Sequence, residues 1–196
     1  MKKVLIGSHN SGKISIYKRF LSHLPINIVT LKDLGIHDDF SEHGNTFAEN
    51  SRSKVEYYSQ KSGLPTIGDD GGLEIDALNG EPGVLSRRWP GYEASDKELI
   101  NIAFSKLKGT PRHLRTAYLG GVITLATPSK KSEQVTIRIK GILSEKLERP
   151  IVKGFPFRSI FWIPILNKYY YDLTDEELEH IDHRKQGLKK LEHYLT

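Results

Sequence analysis

Two adjacent carboxylates, Asp69 and Asp70, stand between two extended apolar runs in Pro65-Thr-Ile-Gly-Asp-Asp-Gly-Gly-Leu-Glu-Ile75. The pattern reads as a short strand (Thr66, Ile67) ending at the acids, a turn at Gly71 and Gly72, and a second extended run through Leu73 to Ile75. Successive side chains on a strand point to opposite faces, so the two acids cannot both be buried in the same way. Acids at a strand end, beside glycines that let a ligand approach the backbone, suit a hard cation such as Mg²⁺. Asp-Gly is also a common turn pair, and an acidic turn explains the stretch equally well by itself.

The rest of the chain bounds the reading. A length of 196 residues suits one domain, here expected as two lobes around a shared sheet. There is no cysteine, hence no disulfide framework and no thiolate nucleophile or metal ligand. No apolar run approaches the ~20 residues that span a bilayer, and the apolar Val4-Leu-Ile6 is too short for a signal peptide. No membrane partner is expected, and the cytoplasm is the default location. The formal charge of +5 is mild, and its basic excess gathers at Arg87-Arg88, at Lys106 to Arg115 and in the last helix rather than in one long stripe, which argues against non-specific nucleic-acid binding and suits a small, highly charged anion at least as well.

Lys3 to Ile6 reads as a buried strand, Gly7 to Lys13 as a glycine-bearing loop, and Ile14 to Leu24 as a helix with an apolar stripe. Strand, loop and helix together form a common anion-binding arrangement. Ile26 to Leu31 reads as a strand. Asn45 or Thr46 caps a helix reaching Ser62, with Phe47, Ser51, Lys54 and Tyr58 on one face. Ala94 to Lys108 reads as a helix, and Thr116 to Leu125 and Gln134 to Leu143 as a strand pair joined by a polar connection, Thr127 to Glu133. Phe161 to Leu166 reads as a further extended run. The capping box Thr174-Asp-Glu-Glu177 opens one final helix, whose stripe of Ile181, Leu188, Leu191 and Leu195 also contains Arg184.

Gly7-Ser-His-Asn-Ser-Gly-Lys13 nearly spells a P-loop, but position 14 is Ile14, which lacks the hydroxyl that would bind Mg²⁺. A second pattern covers far more of the chain. Ser8-x-Asn10-x-x-Lys13 resembles the (S/T)-x-N-x-x-K opening of the inosine triphosphate pyrophosphatase family, the Ham1-like non-canonical purine NTP pyrophosphatases. Glu42-x-Gly44-x-Thr46-Phe47-x-Glu49-Asn50-x-x-x-Lys54 is similar to that family's E-x-G-x-T-F-x-E-N-A-x-x-K-A. Gly63-Leu-Pro65 with Asp69-Asp70-x-Gly72-Leu73 resembles its G-L-P…D-D-S-G-L. Leu78-x-Gly80-x-Pro82-Gly83-Val84-x-Ser86-x-Arg88 is similar to L-x-G-x-P-G-[IV]-Y-S-A-R, and Gly154-Phe155 and Ile181-x-His183-Arg184 resemble the late G-F-G-Y-D-P and I-S-H-R.

The resemblance implies an α/β fold with a long mixed central sheet and flanking helices, two lobes around a deep nucleotide cleft, and a homodimer. It implies Mg²⁺-dependent hydrolysis of a nucleoside triphosphate to the monophosphate and pyrophosphate. Carried over position by position, Glu42 and Asp70 correspond to the metal ligands, Asp70 doubling as water activator, with Asp69 as support for the metal or its waters. Lys13 and Lys54 correspond to the phosphate-binding lysines, and Ser8 and Asn10 to the loop that holds the triphosphate.

The departures cluster. Gly71 replaces the serine of D-D-S-G-L, Arg158 the acid of G-F-G-Y-D-P, and Asp182 the serine of I-S-H-R, while Leu178 stands where a lysine precedes it. In family members the last three positions lie on the nucleobase side. Arg158 exchanges an acceptor for a donor, so the base preference is expected to move away from hypoxanthine and xanthine. Phe155 or Phe157 remains to stack on a base, and His183 and Arg184 to reach a carbonyl oxygen. Three other readings stay open: mutual compensation among Arg158, Leu178 and Asp182 that leaves specificity ordinary, a nucleotide-binding regulatory module that has lost turnover, and a P-loop kinase or ATPase.

Overall fold

The computed structural model describes residues 1–195. Seven strands form one sheet in the order β2-β1-β3-β4-β5-β6-β7. Strand β1 (Lys2–Ile6) lies parallel to both β2 (Ile26–Thr30) and β3 (Thr66–Ile75). At the other end β5 (Lys130–Leu143), β6 (Phe161–Ile163) and β7 (Lys168–Tyr169) run antiparallel, and β4 (Thr116–Thr127) lies beside β5. The sheet is therefore mixed, and helices flank it: the α/β class expected from the sequence.

Local chemistry explains the helix boundaries. Helix α1 (Ser11–Phe20) starts three residues before the expected Ile14, because the Asn10 side chain accepts from the Lys13 backbone N–H and caps it. Lys13 is thus in a helical first turn rather than in the loop. Helix α2 (Phe47–Ser62) opens with a full Thr46–Glu49 capping box and closes at Gly63, whose φ of 69° is the left-handed conformation a helix end favours. Helix α3 (Asp96–Lys106) has a second such box, Ser95–Glu98, and is shorter at each end than expected.

Four expectations need correction. The acids do not end a strand: β3 runs uninterrupted for ten residues through Asp69, Asp70, Gly71 and Gly72. Gly72 is required not by a turn but by proximity, since a side chain there would collide with Ser86, whose hydroxyl accepts from the Leu73 N–H. The β4 and β5 strands extend to Thr127 and from Lys130, leaving only Pro128 and Ser129 between them. The Phe161 run is strand only to Ile163; Pro164, which has no N–H to donate, begins a 3₁₀ turn (Pro164–Leu166). The final helix is two, α4 (Asp175–Ile181) and α5 (His183–Leu195), broken at Asp182, whose ψ of 108° is extended. Aspartate favours the position just before a helix over a helix interior, which suits such a break.

The residues group into two compact units. The first comprises 1–70, 121–137 and the chain from His183 onward. Its main core packs Val4, Ile6, Tyr17, Phe20, Leu21 and Ile67 with Leu188, Leu191 and Leu195, three residues of the stripe expected of the last helix; the first of that stripe, Ile181, packs against the core of the second unit instead. Each such buried side chain contributes roughly 1.5–3 kcal/mol. The second unit comprises Gly71–Gly120 and Arg138–Asp182, with a core of Leu73, Ile75, Leu99, Ile100, Ala103, Phe157, Ile160 and Phe161 among others.

Candidate active site

In the first unit four elements bring charge together around the end of its β3 segment. The β1–α1 loop supplies Ser8 and Asn10; the Asn10 N–H donates to Ser8 Oγ at 3.2 Å, tightening the turn before α1. The first turn of α1 supplies Lys13, helix α2 supplies Lys54 and Asn50, and the loop before α2 supplies Glu42. Strand β3 supplies both aspartates.

Asp69 is fully buried, and both of its oxygens are engaged by this chain. Oδ1 accepts from the Tyr17 hydroxyl at 3.0 Å. Oδ2 lies 3.1 Å from Lys13 Nζ and 3.4 Å from an Arg184 guanidinium nitrogen. The backbone carbonyl of Asp69 accepts from Lys13 Nζ at 3.1 Å and from Lys54 Nζ at 3.0 Å, so two ammonium groups converge on one oxygen. Lys54 Nζ also pairs with Glu42 Oε1 at 2.7 Å. Asp70 is buried as well and hydrogen-bonds the Asn50 side chain, whose Oδ1 accepts from the Gly44 N–H at 2.7 Å and so ties the Glu42 loop to α2.

The neighbouring acids carry opposite electrostatic shifts. Burial, reinforced by the nearby Glu42 carboxylate, pushes Asp70 up to about 6. Burial works the same way on Asp69, but Lys13, Arg184 and Lys54 override it and hold that carboxyl well below the usual range. Burial lowers the Lys13 ammonium despite Asp69, with Lys54 and Arg184 adding to the effect. It pulls on Lys54 too, where Glu42 and Asp70 more than offset it, so that Lys54 is raised.

This geometry separates the expected site residues. Ser8, Asn10, Lys13, Glu42, Lys54, Asp69 and Asp70 belong to the first unit. Asp69, expected to support a metal, is instead saturated by a phenol and two cations. Arg184 reaches Asp69 from the start of α5, and its other terminal nitrogen lies 3.4 Å from His183 Nε2; both side chains are buried. Arg184 therefore joins the lysine network, whereas the sequence suggested the base side.

The remaining candidates lie in the second unit. Phe157 is in its core, edge-on to Trp89 at 6.4 Å, which removes it as a stacking partner for a base. Phe155 is half-buried, with the Arg158 guanidinium 4.1 Å from its ring centre and 4.8 Å from that of Tyr170. The Tyr170 hydroxyl donates to buried Asp182 at 3.4 Å. Gly71 is a mid-strand residue of β3.

Sequence reasoning missed Tyr17 and Asn50. By pattern Tyr17 belongs to the apolar stripe of α1, and the signal of a further role is its four-residue spacing from Lys13, which puts both on one helix face. Asn50 sits in the Glu42 to Lys54 motif, whose spacing alone assigns it no chemistry.

Among the described residues no group of three or more histidines, aspartates or glutamates gathers as a metal cage. The donor chemistry nevertheless fits Mg²⁺, which keeps several waters and is commonly held by one or two carboxylates plus substrate phosphates. The like-charge pressure of Glu42 on Asp70 is what a divalent cation would relieve.

The profile of the Ham1 family matches residues 4–194. The chain belongs to the Ham1 family. Its relatives include the dITP/XTP pyrophosphatase of Wigglesworthia glossinidia brevipalpis, 37% identical over 199 residues and covering 100% of this chain and 98% of the relative. The dITP/XTP pyrophosphatase of Exiguobacterium sibiricum is 35% identical over 196 residues, covering 99% and 97%. Among solved structures, a HAM1 protein from Coxiella burnetii superposes with a TM-score of 0.85 at 30% identity, covering 100% of this chain and 98% of that one. The Ham1 assignment accounts for the mixed sheet and for the spacing of the motifs along it. No helix among the described residues is long and apolar enough to cross a membrane.

Proposed function

We propose that this Ham1-family protein hydrolyses nucleoside triphosphates to the monophosphate and pyrophosphate with Mg²⁺. The observation that carries the reading is the convergence of Lys13 and Lys54 on the Asp69 carbonyl beside the Glu42 and Asp70 carboxylates. The names of the relatives, dITP/XTP pyrophosphatases, support it.

Glu42 and Asp70 would hold the cation, which when bound supplies neutralisation of phosphate charge. Lys13 and Lys54 bind the phosphates, and Ser8, Asn10 and the N–H groups opening α1 anchor the chain of phosphoryl groups. Asp70, beside the Glu42 carboxylate, is placed to orient the attacking water and take its proton. The water oxygen bonds to the α-phosphorus as the α–β anhydride bond breaks. The bonding electrons leave with pyrophosphate, and the proton goes to Asp70. Lys13 and Lys54 stabilise the charge gathering on the leaving group.

The preferred base belongs to the same proposal. Arg158, held against Phe155 and Tyr170, presents only donors where the family motif has an acid, which moves the preference away from hypoxanthine and xanthine. A single domain of two lobes, a homodimer and a cytoplasmic location are the companion expectations, resting on the family resemblance.

The test is product analysis with dITP, XTP, the standard NTPs and pyrimidine triphosphates. Pyrophosphate release that depends on Mg²⁺ and disappears in Asp70→Asn supports the reading. Orthophosphate as the product would instead select the P-loop alternative, and binding without turnover the regulatory one.

A further inference from the structure

We propose that Tyr17 is a positioning residue for the triphosphate-binding lysine, acting through Asp69; the inference rests on the function proposed above. Tyr17 and Lys13 lie four residues apart on one face of α1, and both reach the same carboxylate. The Tyr17 ring is fully buried in the main core of the first unit, so its hydroxyl has little freedom to move. It donates to Oδ1 of Asp69 at 3.0 Å and leaves Oδ2 to Lys13 and Arg184. The phenol thus fixes the rotation of the carboxylate about its own bond.

That rotation matters because Lys13 is held at two points, Asp69 Oδ2 and the Asp69 carbonyl, each at 3.1 Å. The pair of contacts aims the ammonium group; either contact alone would let it swing. Without the hydroxyl, Oδ1 is a buried anionic oxygen that has lost its donor, a costly state. The nearest relief is a turn of the carboxylate toward the cations already present, which draws Lys13 inward and away from phosphate. A purely apolar residue would serve the core equally well at this position, so packing does not explain the hydroxyl.

The experiment compares wild type, Tyr17→Phe, Lys13→Ala and the double variant, using turnover of the triphosphate that wild type hydrolyses fastest in the panel above and calorimetric binding of inorganic pyrophosphate. Tyr17→Phe is expected to lower kcat/KM about tenfold, through KM and kcat together because Lys13 serves both phosphate binding and the leaving group, and to weaken pyrophosphate binding in parallel. In the Lys13→Ala background the same substitution is expected to have no further effect on either quantity. An unchanged kcat/KM and pyrophosphate affinity in Tyr17→Phe overturns the proposal, as does an undiminished effect in the Lys13→Ala background. Urea unfolding of Tyr17→Phe confirms that the kinetic and binding comparisons are made on folded protein, with a loss of stability expected from the donor removed at Oδ1. A wild type that binds pyrophosphate without turning over any triphosphate sinks the proposed function instead, and the binding comparison still judges Tyr17.

Discussion

Lys54 Nζ sits 2.7 Å from Glu42 Oε1 in a half-buried pair that joins helix α2 to the loop preceding it. Glu42 therefore faces two claims: it neutralises a lysine meant for phosphate, and it is one of two carboxylates available to a cation. Removing its charge takes from Lys54 its directly paired carboxylate, leaving the Asp70 field and the Asp69 carbonyl, and deprives the cation of a charged ligand. Glu42→Gln is expected to weaken Mg²⁺ affinity by about 10- to 100-fold, the range seen when a carboxylate near a metal is lost. Mg²⁺ titration of the initial rate checks it, and unchanged half-saturation would place the cation elsewhere.

Asp70 gives a pH dependence whose sign follows from its shift. Its folded carboxyl titrates near 6, above the unfolded value of about 3.9, so the folded state holds this proton more tightly. In metal-free protein the resulting stabilisation is complete below about pH 4 and is lost as pH rises through 6. The melting temperature of metal-free Asp70→Asn should therefore gain on that of wild type across that interval. Cation binding requires the ionised form, so Mg²⁺ affinity is expected to fall about tenfold per pH unit below 6. Asp69 runs the other way: held low, it contributes stability above the ordinary carboxylate range that is lost only as the solution becomes strongly acidic.

Arg158 is the most direct test of base preference. Arg158→Asp restores the acid of the family motif and removes the guanidinium from the Phe155 and Tyr170 rings. The ratio of kcat/KM for dITP to that for dGTP is expected to rise at least about tenfold, since mismatched buried polar groups discriminate strongly. A ratio within about twofold of wild type would mean that residue 158 does not read the base.

Gly72→Ala is expected to destabilise the protein by about 1–3 kcal/mol, because the added methyl meets Ser86 and the Gly83 carbonyl, which is backbone and cannot swing aside. Urea unfolding measures it. A smaller Ser86→Gly loss, together with partial rescue in the double variant, would locate the strain at that contact.

The fold class was legible because apolar runs and caps are local signals: Asn10, Thr46 and Thr174 each announce a helix start in the chain itself. The continuity of β3 was not legible, since Asp-Asp-Gly-Gly has the local chemistry of a turn, and only burial among cations lets acids stay mid-strand. The break at Asp182 was hidden for a related reason. The 3.6-residue stripe continues through it from Ile181 to Leu195, so periodicity alone cannot reveal that one backbone angle leaves the helix. At the site, the motif residues were readable by spacing, whereas the Tyr17 and Arg184 contacts with Asp69 join positions far apart in sequence and exist only once the chain is folded.

Lys13 and Lys54 share an acceptor that belongs to the main chain. No codon change can delete a peptide oxygen. A substitution at position 69 strips away one half of what that residue provides and leaves the other half untouched, so side-chain scanning will understate how much the two ammonium groups depend on this spot. An ester bond in place of the peptide bond after residue 69, which weakens the oxygen as an acceptor, would reach the half that mutagenesis leaves alone.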